Sequence, residues 1–198
     1  MIINGNLDLS YCENLTSLGN LEKVNGNLYL EESNIKTLGN LKTVNGDLNL
    51  DITFNLESLG KLEKVNGNLS LYQSHIILIE KDIEIIGNLD LNHSKINFLN
   101  SKLTIDGNLN LEWTKEIKNF SNKSIYVGGD LYLYGSNIES LPRDLVLGGR
   151  LYLVDSSGKN KIPDFIEIKG KKISLNKTKI TKEYILENHK ELIRQCIG

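Results

Sequence analysis

Residues 24–50, VNGNLYLEESNIKTLGNLKTVNGDLNL, contain the pattern that decides the fold. Within this stretch the pair Leu28 and Leu30 returns as Leu48 and Leu50, and each pair follows an Asn-Gly dipeptide. The same spacing of two apolar residues occurs nine times, at intervals of 20 to 22 residues, in the pairs Leu7/Leu9, Leu28/Leu30, Leu48/Leu50, Leu69/Leu71, Leu89/Leu91, Leu109/Leu111, Leu131/Leu133, Leu151/Leu153 and Ile173/Leu175. Self-similarity at a fixed period of this length is typical of a solenoid, in which each coil stacks on its neighbours.

Other positions of the repeat also keep their chemistry. An aliphatic residue such as Val24 stands four residues before the first leucine of a pair, and a glycine such as Gly26 stands two before it. This alternation predicts a strand with one buried face, in which the glycine allows close approach of backbone. A small side chain follows three residues after each pair, at Cys12, Ser33, Thr53, Ser74, Ser94, Thr114, Ser136, Ser156 and Thr178. We expect these hydroxyls to form a ladder that bonds backbone groups left unpaired by a turn.

The rest of each repeat predicts a short return to the next strand. Aliphatic residues three apart, such as Ile35 and Leu38, indicate a tight arc or 3₁₀-like turn and no long helix. Residues 181–198 differ, because Thr181 can cap a helix whose apolar stripe consists of Ile185, Leu186, His189, Leu192, Ile193, Cys196 and Ile197. We therefore predict a mainly β chain, a right-handed parallel β-solenoid of nine coils, with a C-terminal capping α-helix that belongs to the same domain.

The repeat resembles a known family. The string at 24–50 and its echoes, such as GGDLYLYGSNIESLPRDLVLGGRLYL, look like the leucine-rich repeats of bacterial proteins, with the core LxLxxSxIxxL. They are also similar to receptor L-domain repeats. The likeness covers residues 1–180 and implies a recognition scaffold. Serine or threonine replaces the usual ladder asparagine, which leaves a horseshoe and a straighter β-helix both open, and the cysteine-rich flanks of receptor L domains are missing.

Bulk composition narrows the class of protein. Hydrophobic residues make up 39% of the 198 residues and charged residues 24%, which argues against a disordered chain, and no apolar run approaches the ~20 residues of a membrane span. Cys12 and Cys196 lie at opposite ends of an elongated molecule, so we expect reduced cysteines and a cytoplasmic location. Residues 1–58 hold eight acidic and three basic side chains, whereas residues 143–198 hold seven acidic and twelve basic ones.

No catalytic or cofactor signature is visible. The chain lacks GxSxG, Walker A, HExxH and CxxC motifs, and its three histidines, His75, His93 and His189, have the positions of surface or half-buried imidazoles. We therefore expect no enzyme activity, no metal site and no cofactor. Outward carboxylates at Asp8, Glu31, Asp51, Asp90 and Glu112 leave open a carbohydrate-acting β-helix, in which two carboxyl groups serve as acid and base.

The outward strand positions point to a binding face. Tyrosines gather on the seventh and eighth coils and the only tryptophan lies one coil earlier, so we predict a partner-binding site of Trp113, Tyr132, Tyr134, Arg150, Tyr152, Tyr72 and Glu112. Stacking of the rings within the sheet is the structural alternative. Lysines near the C-terminus add a nucleic-acid footprint, but a pI near 6.0 argues against a dedicated nucleic-acid binder.

We thus expect a non-catalytic protein–protein interaction module, an inhibitor or adaptor of a partner protein, and no membrane protein. A carbohydrate-binding or carbohydrate-acting β-helix and a structural, self-assembling element remain as alternatives. The first strand begins only two residues after Met1, so nothing in this chain caps the first coil. An uncovered edge strand invites pairing, and we expect a homo-oligomer to form through the N-terminal coil.

Overall fold

The computed structural model describes residues 1–99, 102–118, 120, 125–138, 141, 145–149 and 151–152, and the backbone of two further strands at 165–168 and 171–174. The described chain is mainly β and forms a parallel β-solenoid. Each turn contributes one short strand to each of two long sheets. None of the described residues lies in an α-helix or a 3₁₀-helix, so of the two forms predicted for the return, a tight arc or a 3₁₀-like turn, the 3₁₀ form is not found among them.

Sheet 1 holds the aliphatic residue that precedes the glycine. Its eight parallel strands, in spatial order, are Ile2–Ile3, Lys23–Val24, Thr43–Val44, Lys64–Val65, Ile83–Ile85, Leu103–Ile105, Ile125–Val127 and Val146–Leu147. Sheet 2 holds the first leucine of each pair. Its corresponding parallel strands are Leu7–Asp8, Leu28–Tyr29, Leu48–Asn49, Leu69–Ser70, Leu89–Asp90, Leu109–Asn110, Leu131–Tyr132 and Leu151–Tyr152.

The register of sheet 2 confirms the predicted anchors. Leu7 pairs with Leu28 and Leu28 with Leu48, and the same column continues to Leu151. The chain makes about seven full turns between Leu7 and Leu151. Beyond them, Lys171–Ser174 pairs in parallel with Leu151–Tyr152, but it also forms an antiparallel hairpin with Phe165–Ile168. The predicted ninth coil is therefore not seen as a repeat of the others, and the predicted helix at 181–198 lies outside the described residues.

The single strand predicted for each coil is wrong, because a bend divides it. Val24 lies in sheet 1, Leu28 lies in sheet 2, and the bend falls at Asn25 and Gly26. The glycine fits here because a Cβ on Gly26 would lie 2.5 Å from the carbonyl carbon of Gly5 in the coil below. Close backbone approach was predicted correctly, and the bend that it permits places successive apolar residues in two different walls of the core.

The core runs along the inside of the solenoid. Val24, Leu28 and Leu30 have essentially no exposed surface, and their counterparts in the later described coils are also buried. The first coil differs, because Ile3, Leu7, Leu9 and Leu15 are only partly buried against the core. Each coil is thus covered by its neighbours, as expected for a stack whose stability comes from contacts between adjacent repeats.

Four members of the small-residue column form the predicted ladder. The hydroxyls of Ser33 and Thr53 donate to the carbonyls of Leu30 and Leu50 at 2.7 and 2.6 Å, and Thr114 and Ser136 make equivalent bonds. All of these residues are buried. The ladder therefore satisfies backbone acceptors at the turn that follows sheet 2.

A second ladder, which the sequence analysis missed, uses the residue after each glycine. The side-chain Oδ1 of Asn6 accepts a hydrogen bond from the backbone N–H of Asn27 at 2.9 Å. The same bond then joins Asn27 to Asp47, Asp47 to Asn68, Asn68 to Asn88, Asn88 to Asn108 and Asn108 to Asp130, at 2.7 to 2.9 Å. An asparagine or aspartate is needed at this position because the bend leaves that N–H without a partner in the sheet.

The third side of each turn closes the solenoid. Isolated parallel bridges join Ser17 to Thr37 and Thr37 to Ser58, and two further coils pair Leu78–Ile79 with Phe98–Leu99. In the first three coils the hydroxyl of the bridging residue (Ser17, Thr37 or Ser58) accepts a hydrogen bond from the N–H of the glycine two residues later. The bond between Ser58 and Gly60 is 2.9 Å long. The arc is thus extended backbone with tight glycine turns.

Candidate functional site

The candidate site lies on the outer face of sheet 2. In each turn the two leucines point into the core and the residue between them points away from it, as Tyr29 does between buried Leu28 and Leu30. A second outward position follows the second leucine. We call these two columns the strand face. Its described members are Asp8, Tyr29, Asn49, Ser70, Asp90, Asn110, Tyr132 and Tyr152 in the first column and Ser10, Glu31, Asp51, Tyr72, Asn92, Glu112 and Tyr134 in the second.

Four rings form a continuous aromatic row across four successive coils. Tyr72 meets His93 edge-on at 6.1 Å between ring centroids, His93 stacks on Trp113 at 5.8 Å, and Trp113 meets Tyr134 edge-on at 4.9 Å. Edge-to-face and offset stacked pairs are the arrangements that aromatic rings prefer, and each adds roughly 0.5–1.5 kcal/mol beyond the area that it buries. The row is therefore a rigid ridge along the side of the strand face that adjoins the ladder.

Backbone conformation places His93 and Trp113 in this row. Both have a positive φ, 58° and 57°, and the residue directly before each ladder position shares it, in the series Tyr11, Glu32, Ile52, Gln73, His93, Trp113 and Gly135. The left-handed region is uncommon for residues other than glycine. Backbone bonds between coils hold this conformation, as in His93 N–H with the carbonyl of Glu112 at 3.0 Å and Trp113 N–H with the carbonyl of Tyr134 at 2.8 Å. The side chains of the column therefore leave successive coils in the same direction.

The indole of Trp113 is enclosed on both faces. His93 is stacked on it with an interplanar angle of 9°, and a Cβ on Gly135 would lie 2.8 Å from its Cε3 atom. Lys115 places its Nζ 4.8 Å from the ring centroid and donates to the carbonyl of Gly135. Trp113 is nevertheless 37% exposed. A partner would therefore meet an indole that His93 and Gly135 already cover in part.

A second ring pair lies on the neighbouring column. Tyr132 and Tyr152 pair in register and stack at 4.7 Å with an interplanar angle of 5°. Burial raises the pKa of the Tyr132 hydroxyl, and the nearby Asp130 carboxylate raises it further, so the hydroxyl is a neutral donor; it bonds Oδ2 of Asp130 at 3.3 Å. The pair combines an apolar body with a polar rim, which suits a protein interface.

The carboxylates of the strand face form no ion pair with a cation among the described residues. Glu31 accepts from the Tyr11 hydroxyl and from Asn49 Nδ2, and Asp51 accepts from the Ser70 hydroxyl and the backbone N–H of Tyr72. All of these donors are neutral. The charges on this part of the face are therefore solvated by dipoles and not cancelled by cations.

Two of the carboxylates carry a clear energetic cost. Burial raises the pKa of Asp90 above its usual value, opposed by the N–H of Asn92 and reinforced by the charge of Asp51. Burial also raises the pKa of Glu112, and the charge of Asp90 adds to it while His93 lowers it. Both effects mean that the charged form is disfavoured where these groups stand.

The structure brings most of the predicted site residues together. Tyr72, Trp113 and Tyr134 lie in the aromatic row, Tyr132 and Tyr152 form the ring pair, and Glu112 lies on the same face. Arg150 falls outside the described residues. Sequence reasoning missed His93, which joins Tyr72 to Trp113, and Lys115, which lies over the indole. The signal for His93 was its spacing of 20 residues from Trp113, in the column directly before the ladder; no such signal marked Lys115.

The described chain also has a groove of about 600 Å³, separate from the strand face. Several of its lining residues directly follow a ladder residue in the sequence. Phe54 and Ile77, exposed apolar side chains, line it together with His75, Lys36 and Lys95. Phe54 and His75 are in ring contact at 4.9 Å. The charges around this groove are mixed, with Glu57 and Glu116 beside the lysines, and its walls do not define one ligand chemistry.

The described part of the chain contains neither a cluster of metal-binding side chains nor a membrane-spanning helix. No group of three or more His, Cys, Asp or Glu side chains is placed there to hold a metal ion. A helix of the length and apolar character needed to cross a bilayer is likewise absent from those residues. Comparison with family models, with curated proteins and with solved structures found no match for this chain.

Proposed function

We propose that this protein is a non-catalytic interaction module of the leucine-rich-repeat kind that binds a partner protein on its strand face. The observation that supports it is the aromatic row next to the Tyr132–Tyr152 pair, held on a rigid stack of parallel strands. Large aromatic side chains with little remaining freedom are the residues that most often anchor protein interfaces. The nine-coil extent, the capping helix at 181–198, right-handed coiling and a cytoplasmic location belong to the same proposal.

The alternative to an interface is that these rings only stabilise the sheet. Cross-strand aromatic pairs do contribute to sheet stability. A purely structural set of rings would not need to remain at the surface, however, and Trp113 keeps 37% of its surface exposed while Tyr132, Tyr134 and Tyr152 are half-buried. The exposed edges favour an interface, in addition to stacking.

The test is an affinity purification that compares three forms of the chain. The wild type, a Trp113→Ala/Tyr132→Ala/Tyr152→Ala variant and a control variant Phe98→Ala/Tyr126→Ala are used as bait. Phe98 and Tyr126 are 56% and 40% exposed but lie away from the strand face, on the third side and on sheet 1. We expect a protein that the wild type and the control retain and the triple variant loses, with all three folded by circular dichroism. Equal retention by the triple variant would contradict the proposal.

A carbohydrate-acting β-helix is the second candidate. The observation that favours it is the pair Asp90 and Glu112, both with raised pKa on one face, because glycoside hydrolysis uses one protonated and one ionised carboxyl group. The enclosed faces of Trp113 oppose it, since a sugar ring needs an open aromatic face on which to stack. A glycan array that binds the wild type and not a Glu112→Gln variant would favour this candidate over protein binding.

Self-association through the first coil is the third candidate. Ile3, Leu7, Leu9 and Leu15 are only partly buried there, and Ile2 is 57% exposed. Sedimentation at rising concentration tests it: a monomer throughout would remove it, and a dimer that an Ile2→Lys substitution abolishes would support it.

A further inference from the structure

We propose that the partner of the strand face presents a basic, extended segment whose arginine or lysine side chains lie over Asp51, Asp90 and Glu112 and between the neighbouring tyrosines. This inference rests on the proposed function, since it assigns a chemistry to the partner of the same face. Three properties of the face support it: its charges are all acidic, their hydrogen-bond donors are neutral, and the acidic part extends over five coils.

The strand face has acidic and aromatic side chains but no basic ones among its fifteen described members. Five are carboxylates, five are tyrosines and five are asparagine or serine. The whole chain has 23 lysines and arginines against 25 acidic residues, but the charged side chains among these fifteen positions are all acidic. The one side-chain ion pair in the described chain, Lys64 with Glu84 at 2.9 Å, lies on sheet 1. Unlike the rest of the surface, the strand face presents one sign of charge.

The cations that the structure describes beside this face do not neutralise it. Lys115 is held at the side of the aromatic row by the Trp113 ring and the carbonyl of Gly135. His93 faces Glu112 and lowers its pKa, but burial and the Asp90 charge together outweigh it. Asp51, Asp90 and Glu112 therefore stand on the third, fifth and sixth coils with no described cation between them. The charge of Asp51 acts on Asp90 and that of Asp90 on Glu112, a repulsion that adds to the larger effect of burial.

A cationic partner would relieve this repulsion at the moment of binding. Charge-assisted hydrogen bonds to carboxylates are shorter and stronger than neutral ones, and like charges without a partner destabilise the free surface. Arginine is the better match of the two basic residues, because its planar guanidinium can both pair with a carboxylate and stack on a tyrosine. The combination of acidic and aromatic side chains thus favours an arginine-bearing segment over an acidic or apolar one.

The length of the acidic part sets the length of the segment. Glu31, Asp51, Asp90 and Glu112 belong to the second, third, fifth and sixth coils. Four steps between parallel strands, at about 4.8 Å each, span roughly 19 Å, and an extended chain covers that distance with about six residues at ~3.3 Å per residue. A short linear segment is therefore enough to reach every one of these carboxylates.

The experiment titrates the full chain with the peptide acetyl-Arg-Gly-Arg-Gly-Arg-Gly-Arg-amide by calorimetry, with the corresponding glutamate peptide as a negative probe. Two double variants carry equal changes in net charge. Asp90→Asn/Glu112→Gln removes two charges from the strand face, whereas the control Glu63→Gln/Glu80→Gln removes two exposed charges away from it. Asn and Gln keep the shapes of the side chains, and thermal unfolding checks that both variants stay folded.

We expect the arginine peptide to bind the wild type and the control, and about tenfold weaker binding to the strand-face variant, which is the usual scale for losing close charge pairs. The glutamate peptide should not bind. Equal weakening by both double variants, or equal binding of both peptides, would overturn the inference. So would the absence of arginine-peptide binding to the wild type. That last result would leave the protein-binding proposal standing if the Trp113/Tyr132/Tyr152 variant still lost its partner, which separates the failure of one from the failure of the other.

Discussion

The indole of Trp113 lies flat against Gly135, and a Cβ added to that glycine would stand 2.8 Å from Cε3 and 2.9 Å from Cδ2 of the ring. Gly135 also has a φ of 64°, which side-chain-bearing residues rarely adopt. We expect Gly135→Ala to reduce the free energy of unfolding by about 1–3 kcal/mol, from backbone strain and from the displaced ring together. Trp113 is the only tryptophan, so its fluorescence reports the displacement directly.

Gly19→Ala is the matched control for this substitution. Gly19 has a φ of 57°, but nothing lies within 4 Å of where its Cβ would be. We expect it to cost about 1 kcal/mol from backbone conformation alone and to leave the Trp113 spectrum unchanged. An unchanged spectrum in Gly135→Ala would show that the ring does not rest on that glycine.

The hydroxyl ladder gives a second prediction, because its members are not equivalent. The Ser33 hydroxyl donates to the carbonyl of Leu30 at 2.7 Å, whereas the buried hydroxyls of Ser74 and Ser94 have no hydrogen-bond partner among the described residues. Ser33→Ala should therefore cost about 1 kcal/mol, and Ser74→Ala should be close to neutral or stabilising, since it removes an unpaired polar group. Urea unfolding of the two variants measures the difference. A larger loss for Ser74→Ala than for Ser33→Ala would contradict this account of the ladder.

The asparagine ladder predicts a distinction between removing an acceptor and keeping it. Oδ1 of Asn68 accepts from the backbone N–H of Asn88 at 2.8 Å and from its side-chain Nδ2 at 3.0 Å. Asn68→Ala leaves the N–H without its partner and should cost about 1–3 kcal/mol. Asn68→Asp keeps the acceptor, as Asp47 does at the same position one coil earlier, but it loses the hydrogen bond from Asn68 Nδ2 to Asp47 Oδ1 at 3.0 Å and places two carboxylates together. The two variants are therefore distinguished by the Asn88 N–H and not by the size of the stability loss. Hydrogen exchange at the Asn88 amide should accelerate only in the alanine variant.

Sequence alone was sufficient for the parts of the fold that repeat. The spacing of Leu28, Leu48 and Leu69 predicted the parallel stack and its register, because a buried column must recur at the period of the coil. The bend at Gly26 was not predicted. Apolar residues four apart have the same pattern whether the strand is straight or divided, and only the close approach to the coil below decides between the two conformations.

The site was predictable in its residues and not in its contacts. Outward rings such as Trp113 and Tyr132 could be chosen by residue type and by column. The link through His93 could not, because it depends on a positive φ before the ladder, and six residues other than glycine adopt it here. Propensity disfavours that conformation for each of them, and only the stacked neighbours maintain it.

The ring pair gives a fourth prediction, which separates stacking from packing. Tyr132 and Tyr152 stack at 4.7 Å with nearly parallel planes. A double-mutant cycle with Tyr132→Leu and Tyr152→Leu should give a coupling energy of about 0.5–1.5 kcal/mol in the free energy of unfolding. A coupling energy of zero would mean that the contact between the two rings does not stabilise the fold. The pair would then be explained by binding and not by stacking.

The carboxylates of the strand face predict how stability depends on pH. Burial and like charge raise the pKa of Asp90 and Glu112 in the folded chain, so the folded state holds protons that the unfolded state has already released. Stability must then fall as pH rises from the ordinary carboxyl value through the raised values, and the cost is fully present at neutral pH.

We expect Glu112→Gln to remove part of this cost, because glutamine is neutral at every pH and the Glu112 side chain accepts no hydrogen bond from the described residues. The variant should unfold at a higher temperature than the wild type at pH 7, and the difference should shrink as pH falls below the ordinary carboxyl range. Glu63→Gln, which neutralises an exposed carboxylate on the other side of the coil, serves as the control and should show no such trend. If the two variants had the same pH dependence, the carboxylates of the strand face would not be under strain, and a basic partner would gain nothing by relieving it.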